Sequence, residues 1–153
     1  MPAEAGAEVR TATAEDAAVV ARLLHDFNSE YGWPMPPVEE MTPRLGELIE
    51  AGEALALLVG GDLGIAVLRL RESLWSRGRV AYLEELYVVP GRRGEGFGRA
   101  LMEAAMKAAR DAGAEVMELG TSTTDVAARG LYESCGFTNL EDGASMLFYE
   151  RDL

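Results

Sequence analysis

The sequence predicts an α/β domain built on a mixed, largely antiparallel sheet flanked by helices, in the order β-α-α-β-β-β-α-β-α-β-β. Three observations predict it. Apolar residues recur at helical spacing in the first third, switch to short strand-like runs between residues 53 and 89, and alternate between the two patterns afterwards. The strand-like runs are joined by short connections, the mark of antiparallel neighbours. No internal repeat, linker or low-complexity tract divides the 153 residues, so the expectation is one domain spanning residues 1–153, with 1–7 as a flexible tail.

Val9 to Ala12 reads as the first strand. Thr13-Ala-Glu-Asp16 then offers a hydroxyl N-cap and first-turn acids that complement a helix dipole. Val19, Val20, Leu23, Leu24 and Phe27 give that helix an apolar face ending between Asn28 and Gly32. Tyr31-Gly-Trp-Pro-Met-Pro-Pro37 cannot be regular helix, because its prolines lack donors and restrict the residues before them. Thr42-Pro43 reads as a cap and first-turn pair, placing the second helix over Pro43 to Ala51. Glu53 to Val59 and Leu63 to Arg71 form a hairpin around Gly60-Gly61-Asp62, and Ser73 to Arg79 connects to a long strand, Val80 to Val89, that Pro90-Gly91 ends. Phe97 to Ala112 is a helix stopped at Gly113. Glu115 to Leu119 is a strand and Asp125 to Cys135 a helix. Phe137 onward forms two short strands, the second ending in Met146 to Tyr149.

Composition excludes several classes. The longest apolar runs are too short to span a bilayer, and residues 1–9 lack a signal peptide's order, so the expected location is the cytoplasm with no membrane partner. Cys135 is the one cysteine and His25 the one histidine, which speaks against a disulfide or a cysteine- or histidine-built metal site, and no metal is expected. His25 falls in the apolar-periodic first helix, where a partly buried structural residue is the expectation. A net charge of −12 argues against nucleic acid and suits either simple solubility or a cationic substrate.

The chemically informative segment is Leu86-Tyr-Val-Val-Pro-Gly-Arg-Arg-Gly-Glu-Gly-Phe-Gly-Arg99. A strand enters a tight loop with glycines at 91, 94, 96 and 98, and a long helix follows at once. Glycine lets backbone approach a ligand closely, amides at a helix start bind anions, and Arg92, Arg93 and Arg99 add positive charge. A pyrophosphate fits that combination. No Gly-Lys-Ser/Thr follows, so this is not a Walker A loop, and Arg99 stands where a dinucleotide fingerprint needs its third glycine.

Arg93-x-x-Gly96-x-Gly98, preceded by Leu86-x-Val88-x-Pro90, resembles the cofactor motif of the GNAT superfamily of acyl-CoA-dependent N-acetyltransferases. Ala127-Ala-Arg-Gly-Leu-Tyr-Glu-Ser-Cys-Gly-Phe137 resembles the family's second signature, and the order of elements over residues 8–151 is similar as well. The resemblance implies a GNAT-like fold and acetyl-CoA as co-substrate. It implies that the backbone of Leu86, Tyr87 and Val88 pairs with the pantetheine amides as an added strand. Arg93 and the amides of Gly94, Glu95, Gly96, Phe97, Gly98 and Arg99 would hold the pyrophosphate. Asp125 stands where the family often has an asparagine against the pantetheine arm, and an acid there can accept a hydrogen bond but not donate one.

For the chemistry, a backbone N–H near Tyr87 or Val88 would polarise the thioester carbonyl, and Tyr132 aligns with the tyrosine that protonates the coenzyme A sulfur. Tyr132 packed between helix and sheet is the plainer alternative. In Ala81-Tyr-Leu-Glu-Glu-Leu-Tyr-Val-Val89, adjacent carboxylates on a regular strand face opposite ways. Resemblance to polyamine and diamine acetyltransferases makes the first acid, Glu84, the base; a bulge would exchange it for Glu85. Surface pairing or substrate positioning is the alternative role for either acid. Trp33 and Trp75 lie in the segments expected to edge the acceptor pocket. Without an activating base, Cys135 is a poor nucleophile, so direct attack by the amine is preferred. The implied function is acetyl transfer to a primary amine of a small cationic metabolite. A peptide or protein acceptor and a non-catalytic acyl-CoA sensor are the alternatives, and a homodimer is implied by resemblance alone.

Overall fold

The computed structural model describes residues 8–153, which form two compact units, one ending at Leu119 and the other spanning Gly120–Leu153. The tail expected at residues 1–7 lies outside the described residues.

In the larger unit, β1 (Val9–Thr11), β2 (Ala54–Val59), β3 (Gly64–Glu72), β4 (Arg79–Val88) and β5 (Ala114–Leu119) form a five-stranded sheet in chain order. The first four strands are antiparallel neighbours, and β5 runs parallel to β4 after the crossover helix α3 (Phe97–Asp111). This is the mixed, mostly antiparallel sheet the sequence predicts. Helices α1 (Ala17–Glu30) and α2 (Val38–Glu50) share the other face, where Val20, Leu23 and Leu24 pack on Ala56, Leu58, Ile65, Val67 and Tyr87. Helix α3 packs on β2, β3 and β4 and buries Leu101, Met102 and Ala105 completely. Strands β2 and β3 are therefore covered on both faces, which is why they read as continuous apolar runs rather than as alternation.

Thr13 does not cap α1 directly. It opens a 3-10 turn at Ala14–Asp16, with the Thr13 N–H donating to Asp16 Oδ2 at 2.8 Å. The second helix also differs from the expectation, starting at Val38, five residues before Pro43. Pro43 sits inside it, and Thr42, read as a cap, donates its hydroxyl back to the Val38 carbonyl at 2.8 Å. The Glu40 and Met41 amides reach the Pro37 carbonyl, so the helix nucleates one turn ahead of Pro43. Gly64 is fixed by crowding: a Cβ there would lie 2.8 Å from the Tyr87 carbonyl oxygen.

The smaller unit holds α4 (Val126–Ser134) and a hairpin of β6 (Leu140–Glu141) and β7 (Ala144–Ser145). Asp142-Gly143, with φ of 51° and 82°, makes a two-residue turn of the kind Asp-Gly favours. The ladder pairs Leu140 with Ser145, and the Met146 N–H still reaches the Asn139 carbonyl at 2.6 Å. Met146 to Tyr149, expected as the final strand, instead lies outside any strand, with Leu147, Phe148 and Tyr149 exposed.

Candidate active site

The site in the larger unit begins with an irregularity in β4. Opposite β3, Leu68 pairs with Leu83 and Val67 with Glu85, so Glu84 is an extra residue, a β-bulge. The bulge interrupts the strand alternation behind the expectation that Glu84 and Glu85 face opposite ways, with Glu84 exposed and Glu85 half-buried. Both line one cavity of about 280 Å³ between the sheet and helices α1 and α2. Glu85, partnered with Val67 and two residues from Tyr87, takes the face that carries the α1 core.

Leu24, Met35, Leu45, Leu48 and Val67 give the cavity an apolar wall, and Asn28, Arg69 and the two acids are its polar members. Burial pushes the Glu85 carboxyl up to about 7, with the neighbouring Glu84 charge adding to the shift. Among the described residues no cation pairs with either acid. A carboxyl with that proton affinity is a competent general base at neutral pH.

Strand β4 also supplies an open edge. Its parallel pairing with β5 ends at Leu83 opposite Leu119, whereas pairing with β3 continues to Val88. Beyond Leu83 the β5 side of Glu84–Val88 is therefore free of ladder partners, as an added strand would require. The opening at Leu86 and Tyr87 suits a pantetheine arm, while the Val88 carbonyl on the same edge accepts from Arg93 Nε.

The loop after β4 turns through a 3-10 segment, Pro90–Arg92, and then Gly94 and Gly96, with φ of 80° and 88°. Gly96 is the N-cap of α3, and the first intrahelical bond runs from the Ala100 N–H to the Gly96 carbonyl at 3.1 Å. The amides of Gly94, Glu95, Gly96, Phe97 and Gly98 thus precede the helical ladder at the positive end of its dipole, which suits a pyrophosphate. Arg99 lies in the first turn of α3. Arg92 is drawn to Glu95 at 2.8 Å.

Arg93, expected at the pyrophosphate, has three partners within the protein. Its Nε donates to the Val88 carbonyl at 2.9 Å, its Nη2 meets Glu30 Oε2 at 2.6 Å, and its guanidinium lies 5.6 Å from the Tyr87 ring centre. Its side chain ties the glycine loop to the end of α1. Trp33 stacks on Tyr31 and meets Phe27 edge-on, and Phe27 in turn packs on Tyr87. Trp75 is almost fully exposed and is not among the residues lining the cavity.

In the smaller unit, Asp125 is the N-cap of α4, its Oδ1 accepting from the Ala128 N–H at 3.1 Å. Tyr132 sits on that helix, 6.2 Å from Phe137 between ring centres. The Gly-Phe pair has a local cause: Gly136, at φ 93°, stops the helix, and the Phe137 N–H returns to the Tyr132 carbonyl. Cys135 is half-buried in the same turn.

Sequence reasoning missed Arg69 and Asn28. A sign for Arg69 was present, because it is the one charge inside the apolar run Ile65–Leu70. Among the described residues no cluster of His, Cys, Asp and Glu could hold a metal, and no helix is long and apolar enough to cross a membrane.

Residues 20–137 match the acetyltransferase (GNAT) family. The chain is 34% identical over 139 residues to an aminoglycoside N(6')-acetyltransferase type 1 of Stenotrophomonas maltophilia, covering 87% of each protein. It is also 34% identical to the enzyme of that name from Klebsiella aerogenes, covering 71% of this chain and 77% of that one. A crystal structure of a candidate acetyltransferase from Arthrobacter sp. FB24 superposes with a TM-score of 0.88 at 44% identity, covering 95% of this chain and 96% of that one. With the bulged β4, its open edge and the glycine loop ahead of α3, these similarities lead to one conclusion: the chain belongs to the GNAT acetyltransferase family and is an acetyl-CoA-dependent N-acetyltransferase.

Proposed function

We propose that the acceptor is the primary amine of a small molecule that arrives as an ammonium, with Glu85 as the base. The observation that carries this reading is the half-buried Glu85, which lines one cavity with Glu84 and, among the described residues, pairs with no cation. The relatives named for aminoglycosides support a small-molecule amine over a peptide.

The proton steps follow from the residues. Glu85, directly or through one water, takes a proton from the ammonium, and the neutral nitrogen attacks the thioester carbonyl carbon. A carboxyl near 7 narrows the gap to an amine of pKa about 10.4 from about six units to about three. A β4 amide near Tyr87 or Val88 stabilises the oxyanion, and as the nitrogen gives up its second proton to water, collapse breaks the C–S bond. The proton for the departing sulfur is assigned to Tyr132 on the resemblance of residues 127–137. Glu84 raises the proton affinity of Glu85 and attracts the cation. The backbone of Leu86–Val88 and the loop Gly94–Arg99 hold the coenzyme.

The test is a thiol-release assay with acetyl-CoA across diamines, polyamines, aminoglycosides, amino acids and peptides. Turnover confined to small amines is expected; turnover confined to peptides would overturn the reading. Tyr132→Phe should lower kcat by about tenfold or more while calorimetry finds acetyl-CoA binding intact. A kcat near wild type removes Tyr132 from the scheme.

A further inference from the structure

We infer that the acceptor carries a carboxylate beside its amine, and that Arg69 binds it; this rests on the small-amine reading above and narrows it. Arg69 interrupts an otherwise apolar strand, pairs in register with Tyr82, and lines the same cavity as Glu84 and Glu85. Its Nε donates to the Glu53 carbonyl at 3.2 Å, which fixes the direction of the guanidinium. The Glu53 carboxylate stays 3.8 Å from Nη2, beyond a hydrogen bond. Neither cavity acid pairs with Arg69, so the cavity presents separated charges of both signs.

A polycation would be attracted by the two acids and repelled by the guanidinium. A molecule with an ammonium and a carboxylate satisfies both ends. The fork of donors on arginine matches a planar carboxylate. Val67 faces Glu85, and Arg69 lies two residues further along β3 on the same face, a rise of about 7 Å. The guanidinium and the two acids line one cavity, so a single small molecule can meet both. The class is therefore a small molecule that carries both an amine and a carboxylate, an amino acid being the simplest.

The experiment measures kcat and KM for a set of amino acids, each beside its own carboxamide, with a diamine and an aminoglycoside as comparators. The wild-type enzyme should prefer the carboxylate form by about tenfold or more in kcat/KM. Arg69→Gln should erase that preference by raising KM for the carboxylate forms, and Arg69→Lys should recover part of it. If wild type turns over both forms equally, or prefers the diamine or the aminoglycoside, the inference falls and the small-amine reading stands. Preference retained in Arg69→Gln also overturns it. If no small amine is turned over, the broader reading fails and takes this one with it. The wild-type comparison does not depend on how well either variant folds.

Discussion

Asp16 and Glu85 are both carboxylates of the larger unit, and their surroundings drive them in opposite directions. Asp16 accepts from both terminal nitrogens of Arg10 at 2.9 Å and from the Thr13 N–H at 2.8 Å. The Arg10 hydrogen bonds, then the Thr13 amide, hold its carboxyl well below the usual range. Glu85 has an apolar wall, a like-charged neighbour and, among the described residues, no paired cation, so its carboxyl rises to about 7. An acid saturated with donors has become part of the fold. An acid deprived of them keeps an affinity for protons that it can spend on a substrate.

The largest effect should follow from breaking the second case. Glu85→Gln is expected to lower kcat/KM by about 10² or more, the usual contribution of a positioned base. It should also remove the acidic limb near pH 7 from the pH–rate profile. The same variant should be more stable than wild type at pH 8. The Glu85 folded value lies above its unfolded value, so between pH about 4.5 and 7 the unfolded chain gives up this proton first and stability falls as pH rises. Glutamine has no such window, and thermal melts at pH 4.5 and 8 read the difference. A variant as active as wild type, with the limb intact, would return the base role to Glu84.

How much of this was legible beforehand depends on whether the cause is local. The glycine loop was legible because Gly94 and Gly96 adopt left-handed backbone that glycine tolerates, in a segment that leads straight into α3. The sheet was legible from the apolar runs of β2 and β3. The acid pair is visible in the sequence but the bulge is not, because it is set by pairing with Val67 and Leu68, distant in sequence. Arg93 reads as a phosphate ligand beside Gly94, yet its partner Glu30 is 63 positions away. The start of α2 failed for another reason. Pro43 was taken as a first-turn residue, while the Pro37 carbonyl had already collected the first amides.

Glu84→Gln sharpens the comparison with a smaller effect. Glu84 raises the Glu85 carboxyl through its charge, second to burial. Removing that charge should move the acidic limb of kcat/KM to lower pH without abolishing it. The rate at neutral pH should fall by about tenfold or less, because the base stays in place but a docking charge for the ammonium is lost. If the limb holds its position, burial alone sets the Glu85 value. If the rate collapses as in Glu85→Gln, the two acids act as one unit.

Asp16→Asn tests the other side and should have the smallest effect on activity. Asparagine keeps an oxygen for the Thr13 amide but gives up the paired acceptance from Arg10, so the turn between β1 and α1 loosens. The melting temperature at pH 7 should drop by a few degrees, with kcat and KM near wild type. The pH dependence carries the sign. The folded value lies below the unfolded 3.8, so this stabilisation is present above pH about 3.8 and disappears as the pH falls below it. The gap between wild type and Asp16→Asn should therefore close toward acid, whereas the Glu85→Gln advantage opens toward base. Opposite trends in the two variants would separate a carboxylate that holds the fold from one held ready by it; parallel trends would show that the two acids do not differ in the way their surroundings suggest.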